Sequence, residues 1–153
     1  MQNKKRGFSL LELLVVVAVI AIISAAGVAT YQSFFTSVDI QGTSKAIVSN
    51  LNLMEARAMA GQGGFNWGAH FVNGSPDDYY ELFSTPTTYA DAGTVIVQKD
   101  YIPLGMAFSD PASETTKDVI FNKITGTTTA TTISVTTQGL VQTITVTSIG
   151  TVY

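Results

Sequence analysis

Gly7-Phe8-Ser9-Leu10-Leu11-Glu12 is the stretch that decides the fold of this chain. The cations of Lys4-Lys5-Arg6 precede it, and no charged residue occurs from Leu13 to Val38. An apolar run of this length can cross the roughly 30 Å hydrocarbon core of a bilayer as an α-helix. Basic residues before a span stay on the cytoplasmic side. The sequence therefore predicts one membrane-spanning helix, with the chain facing outward after about Tyr31.

Glu12 is the anomaly of this apolar stretch. A carboxylate inside a membrane span costs a few kcal/mol on insertion scales, and such a residue usually marks a functional site. Opposite charges about 4 Å apart attract by roughly 4 kcal/mol at an effective dielectric of 20. A cationic partner would therefore offset much of the cost of burying Glu12.

The stretch from Lys5 to Glu12, followed by an apolar helix, resembles the class III signal of type IV pilins and type II secretion pseudopilins. The resemblance implies that a prepilin peptidase cuts after Gly7 and that the new terminus, Phe8, is N-methylated. It also implies that Glu12 binds the Phe8 amine of a neighbouring subunit as a filament assembles. The implied processing residues are thus Gly7 and Phe8, and the implied assembly residues are Glu12 and Phe8.

Two other interpretations of the N-terminus stay open. An ordinary secretory signal has a short apolar region and a small-residue cleavage site, and Ser24-Ala25-Ala26 could serve as that site. A plain single-span anchor would also explain the apolar length. Glu12 disfavours both, because it would interrupt the apolar region of a signal and would have no purpose in an anchor. All three interpretations share one orientation: the N-terminus is cytoplasmic, and everything after about Tyr31 faces outward. The pilin-type interpretation implies a single-pass inner-membrane protein, with its globular domain in the periplasm or outside the cell, that assembles in a filament.

The helix is predicted to continue beyond the membrane to about residue 60. Apolar residues recur there at the spacing of one helical face, and glycines 61, 63 and 64 then mark its end. The residues of this face are Ile40, Ile47, Leu51, Met54 and Ala58.

After Gly64 the apolar period changes to two, which indicates strands. Predicted strands cover residues 65–71, 79–83, 94–98, 104–108, 119–122, 132–136 and 142–149. The predicted fold class is α+β: a long N-terminal helix, with a membrane-spanning first half, packed on a β-rich globular domain. The predicted domains are a cleaved leader at 1–7, a transmembrane and filament-core helix at 8–36, and an outward domain at 37–153.

The outward domain refines the resemblance towards the H-type minor pseudopilins. The family's major subunits commonly carry a helix-kinking proline near the twenty-second mature position, where this chain has Ala29. The resemblance implies a structural subunit of a type II secretion pseudopilus, acting in filament initiation or at the tip, with other pseudopilin subunits as partners. The alternative is a minor pilin of a type IV pilus, in adhesion or DNA uptake. The segments that carry this likeness are 56–60, 67–71, 80–83, 119–121 and 144–146.

Charge and residue types argue against several other functions. After Gly7 the chain keeps five basic against eleven acidic residues, a net side-chain charge of −6. Nucleic acid is therefore not an expected partner. With no cysteine and one histidine, His70, the chain has no His/Cys metal site and no thiol nucleophile. We expect neither a cofactor nor enzymatic activity.

Two acidic clusters and one tryptophan complete the candidate residues. Asp77, Asp78 and Glu81 could bind calcium from a loop, although a solvated hairpin is the favoured interpretation. A second acidic group, spaced by four, is predicted to lie in a loop because Pro111 interrupts it; it consists of Asp110, Glu114 and Asp118. Trp67 is predicted to lie in the core.

Overall fold

The computed structural model describes the chain from Ser9 to Tyr153, apart from the side chains of residues 26–30, 32 and 33. Within these residues one long helix, α1 (Leu10–Met59), precedes a short 3₁₀ turn (Gln62–Gly64) and seven strands. The strands are β1 (Asn66–Asn73), β2 (Tyr79–Thr85), β3 (Val95–Tyr101), β4 (Ala107–Asp110), β5 (Thr115–Phe121), β6 (Thr131–Thr137) and β7 (Leu140–Val146). The predicted α+β class is therefore confirmed.

The chain divides into two compact units, Met1–Thr36 and Ser37–Tyr153. Helix α1 begins in the first unit and ends in the second. In the part of the chain that the structure describes, no helix combines the length and the apolarity that a membrane crossing requires. The transmembrane segment predicted at 8–36 is therefore not confirmed, and the leader at 1–7 lies outside the described residues.

In the second unit, α1 packs one apolar face against the sheets. The five residues that the helical spacing selected are each no more than 1% exposed, so this prediction is confirmed. They join one core cluster with side chains from both sheets. Each Å² of apolar surface that is buried stabilises the fold by about 25 cal/mol. This apolar face is therefore the main attachment of the helix to the sheets.

A polar contact accompanies this packing at the middle of the helix face. The Asn50 amide donates hydrogen bonds to the Tyr80 hydroxyl at 2.8 Å and to the Asp100 carboxylate at 3.2 Å. Burial raises the pKa of Tyr80 to about 12, and the nearby Asp100 charge adds to the rise. Tyr80 is therefore a neutral hydroxyl that fixes the helix over β2 and β3.

The end of α1 combines a glycine in a left-handed conformation with a backbone hydrogen bond from a later loop. Gly61 has φ +62°, a left-handed conformation that ends helices and that side chains disfavour. A Cβ there would lie 2.9 Å from the Ile124 Cδ1 atom. The Ile124 amide donates to the Ala58 carbonyl at 2.8 Å, so one of the last helix carbonyls is satisfied. The glycine stop read from the sequence is confirmed.

The first sheet has the strand order β3-β2-β1-β5, and each neighbouring pair is antiparallel. Alternate residues of β1, namely Trp67, Ala69 and Phe71, point into the core, as the period of two predicted. The side chain of Phe65, which precedes the strand, is instead partly exposed. We call the side of this sheet that faces away from α1 the outer face.

The second sheet has the order β4-β6-β7 and shares the core of the first. The Phe71 and Phe108 rings meet edge to face at 5.6 Å, across the two sheets. Several predicted strand bounds were wrong. The strand expected at 104–108 is Ala107–Asp110, the one expected at 119–122 begins at Thr115, the one expected at 94–98 ends at Tyr101, and the last strand ends at Val146. In the first case a turn precedes the strand, in which the Met106 amide donates to the Pro103 carbonyl.

Candidate functional site

Glu12, the predicted assembly residue, lies in the first turn of α1 with its side chain exposed. The unpaired amides of a helix N-terminus carry positive partial charge, so a carboxylate is favourable there. Within residues 9–153 no salt bridge to Glu12 is formed. Gly7 and Phe8 lie outside the described residues, so the predicted pairing of Glu12 with a Phe8 amine stays a prediction.

An apolar surface follows Glu12 along the helix. The large apolar side chains from Leu10 to Ile23 are 47–83% exposed. Contiguous exposed apolar surface of this kind marks an interaction with another protein or with lipid. The first unit therefore presents a carboxylate at the helix start and an apolar surface behind it.

These residues lie in a segment that matches a known sequence motif. Residues 2–28 match the family model of the prokaryotic N-terminal methylation motif. The motif indicates a type IV pilin-like protein, and it is typical of envelope-assembled proteins that a prepilin peptidase processes and that assemble with other pilin subunits. The match covers less than one fifth of the 153 residues, and it leaves the H-type subtype unresolved. No curated protein and no solved structure matches the chain.

A row of ionisable side chains, which the sequence did not predict, crosses the outer face of the first sheet. Strand register places Asp118 beside His70, His70 beside Glu81, and Glu81 beside Lys99. The His70 Nδ1 atom lies 2.5 Å from the Asp118 carboxylate, and the Lys99 ammonium lies 3.3 Å from the Glu81 carboxylate. We call these four residues the charged row.

Tyr89 covers the centre of the charged row from the β2–β3 loop. Its ring stacks on the His70 ring at 3.7 Å, and its hydroxyl donates to Glu81 at 2.5 Å. Burial and this hydrogen bond raise the pKa of Tyr89. For Lys99, desolvation lowers the pKa, but Glu81 and two nearby tyrosines outweigh it and the net shift is upward. Each side chain of the charged row thus has a partner within the row. This pairing favours a structural role, in which the row holds the strands in register.

The first acidic cluster does not converge on one point. Asp77 is exposed, whereas Asp78 accepts hydrogen bonds from the Gly74 amide at 3.1 Å and the Phe108 amide at 2.6 Å. Glu81 is only 7% exposed and binds the partners described above. In the described chain no group of three or more His, Cys, Asp and Glu residues could hold a metal ion. The solvated-hairpin interpretation was wrong for Asp78 and Glu81, because each has a structural partner.

The second acidic cluster is divided between two sheets. Asp110 lies in β4 and Asp118 in β5, so the predicted loop was wrong for both. Glu114 lies between the two strands, as predicted. Asp110 ends β4 and accepts hydrogen bonds from the Lys117 ammonium and the Thr132 hydroxyl. Burial alone would raise the Asp110 pKa, but these two donors outweigh it and hold the pKa below its ordinary value. The ion pair joins β5 of the first sheet to β4 of the second.

Trp67 lies in the core, as predicted, with 6% of its surface exposed. Its indole N–H donates to the Gln62 carbonyl at 3.0 Å, and the Arg57 guanidinium lies 5.0 Å from the ring centroid. A buried Trp N–H needs such a partner. The residue therefore fixes the chain that connects α1 to β1.

Proposed function

We propose that this protein is a minor pseudopilin, a structural subunit of a type II secretion pseudopilus that acts in filament initiation or at its tip. The observation that carries the proposal is the methylation motif at residues 2–28, which includes the exposed apolar surface of α1 from Leu10 to Ile23. A helix with such a surface needs a cover, and lipid before assembly and neighbouring helices afterwards would provide it. The unbroken helix from Leu10 to Met59 supports a minor subunit, since it lacks the proline kink of many major ones.

The first step of this proposal is maturation in the inner membrane, with the N-terminus cytoplasmic. A prepilin peptidase cuts between Gly7 and Phe8, and the Phe8 amine is methylated. Mass analysis of the protein from native membranes should find loss of residues 1–7 and gain of one methyl group. A mature terminus near Ala26 would instead establish an ordinary secretory signal.

The second step is docking through Glu12. Its carboxylate binds the Phe8 amine of an adjacent subunit, and this pair lowers the cost of holding both charges in an apolar environment. Glu12→Gln keeps the side-chain size but removes the charge, so membrane insertion should be unchanged or improved. Incorporation into the filament, measured by crosslinking to other subunits, should fall strongly.

Asp39→Asn is the matched control for this experiment. Asp39 is an exposed acid on the same helix, within the second unit. Its neutralisation should leave both insertion and crosslinking at the wild-type level. Wild-type crosslinking by Glu12→Gln would refute the proposed pair.

The choice between a secretion system and a pilus needs a cellular assay. Deletion of the gene should lower the extracellular level of secreted proteins while surface pili persist. Loss of pili with normal secretion would favour the alternative, a minor pilin of a type IV pilus.

A further inference from the structure

A cleft of about 340 Å³ opens on the outer face, beside the β1–β2 turn. Its side walls are Tyr79 of β2 and Lys99 and Tyr101 of β3, and the turn residues 74–77 close its end. This volume lies at the lower end of the range for small-molecule sites and suits a single ring-sized unit. We call it the tyrosine cleft.

Strand register fixes the walls of the tyrosine cleft. Tyr79 pairs directly with Tyr101, so both rings project from the same face, 5.8 Å apart and tilted by 54°. Val72 pairs with Tyr79 from the other side and supplies an apolar floor. The Lys99 ammonium lies 3.4 Å from the Tyr79 ring centroid. The side walls and the floor are thus built on sheet positions, which hold their geometry better than loops.

The charges around the tyrosine cleft restrict its ligand. Lys99 is already paired with Glu81 and already occupies the face of the Tyr79 ring. A ligand cation would have to displace it, and a polyanion would meet the exposed Asp77 carboxylate in a chain of net negative charge. A fully apolar ligand would leave hydroxyl and carboxylate groups unpaired, which is costly. A neutral ligand with many hydroxyl groups avoids all three penalties.

We propose that the tyrosine cleft binds a neutral saccharide unit. The Tyr101 ring, whose residue is 61% exposed, covers the C–H face of the sugar ring. Tyrosine hydroxyls donate or accept hydrogen bonds at the edge of the sugar, and the Asp77 carboxylate accepts them from sugar hydroxyls. Tyrosine suits this contact because it offers a large rigid face with a polar tip. The site would give the outward domain a surface for glycan contact, independent of its role in a filament.

The test uses the full-length chain in a detergent without a sugar headgroup. The probes are the methyl glycosides of glucose, galactose, mannose and N-acetylglucosamine. Their binding is measured by saturation-transfer NMR. At least one should receive magnetisation from the protein. Tyr101→Ala should weaken that binding by about fivefold to tenfold, the effect of one aromatic contact. Asp77→Asn should weaken it as well, and it provides a second variant at an exposed position.

Tyr153→Ala is the matched control, because Tyr153 is an exposed tyrosine (68%) that does not line the cleft. It should bind the sugar as the wild type does, and Trp67 fluorescence should report that every variant is folded. The proposal fails if no probe receives magnetisation, or if Tyr101→Ala and Asp77→Asn both bind as tightly as the wild type. Because the assay needs no filament, its failure would leave the pseudopilin proposal standing.

Discussion

Asn73 connects the two sheets, and its replacement by alanine is expected to destabilise the second unit, Ser37–Tyr153. Asn73 is the last residue of β1, and it is buried, with 9% of its surface exposed. Its amide nitrogen donates to the carbonyls of Phe108 and Pro111, both at 2.8 Å. Both acceptor residues are themselves buried. Asn73→Ala removes two hydrogen bonds that water cannot easily replace.

The size of the effect follows from these contacts. A buried polar group left without its partner costs about 1–3 kcal/mol. Asn73→Ala leaves two buried carbonyls without this partner, although each carbonyl can accept a second hydrogen bond. We therefore expect the free energy of unfolding to fall by about 3 kcal/mol in total. For a domain of this size such a loss lowers Tm by roughly 10 °C. It is also a large share of the about 5–15 kcal/mol typical of folded domains.

Urea unfolding of the full-length chain in detergent, followed by the fluorescence of Trp67, measures this loss. Trp67 is the single tryptophan and lies on the same strand as Asn73. The control is Asn122→Ala, an exposed asparagine that donates one hydrogen bond to Thr127 at 3.2 Å. It should change the free energy of unfolding by no more than about 0.5 kcal/mol. If Asn73→Ala unfolds at the same urea concentration as this control, the bridge between the sheets contributes nothing.

Three further predictions concern packing, pH and charge. Gly68→Ala should unfold the domain or lower its Tm sharply, because the new Cβ would lie 2.2 Å from the Val119 carbonyl oxygen; circular dichroism would test this. Asp110 has a lowered pKa, so its stabilisation is present above its ordinary value of 3.8 and is lost as pH falls through the lower folded value. Asp110→Asn should therefore flatten the acid limb of the stability profile, and an unchanged limb would contradict the assignment. Duplex DNA should not be retained in a gel shift at low salt, since Lys117 binds Asp110 and Lys123 donates to the Gly64 carbonyl; salt-sensitive retention would reverse this.

The helix and its buried face could be predicted because they depend on local spacing. A period of 3.6 residues places Ile40, Ile47 and Leu51 on one side, and no distant contact is needed to identify that side. The glycines at the helix end are equally local signals, since Gly61 has a positive φ. Glu12 was found for another reason: a charge within an apolar run is visible in the sequence alone. Its partner, the Phe8 amine, came from the family resemblance, and Phe8 lies outside the described residues.

The charged row and the tyrosine cleft could not be predicted because they depend on strand order and on one loop. His70 and Glu81 are 11 positions apart in the chain, and only the pairing of β1 with β2 brings them together. Both occupy alternate positions that the period of two marks as polar and outward. They are buried because Tyr89 folds back over them from the β2–β3 loop. The one available signal was the presence of both polar residues in one predicted hairpin, with an aromatic residue in the loop that follows it.

The distribution of burial along α1 has an evolutionary consequence. Among the described side chains of the helix, the first to enter the core is Ile40, after the boundary between the units at 36 and 37. Substitutions before that boundary therefore change the surface of the first unit without disturbing the core of the second. The two units can consequently evolve under separate pressures. Recombination near residue 37 would replace the second unit while it retained its complete core.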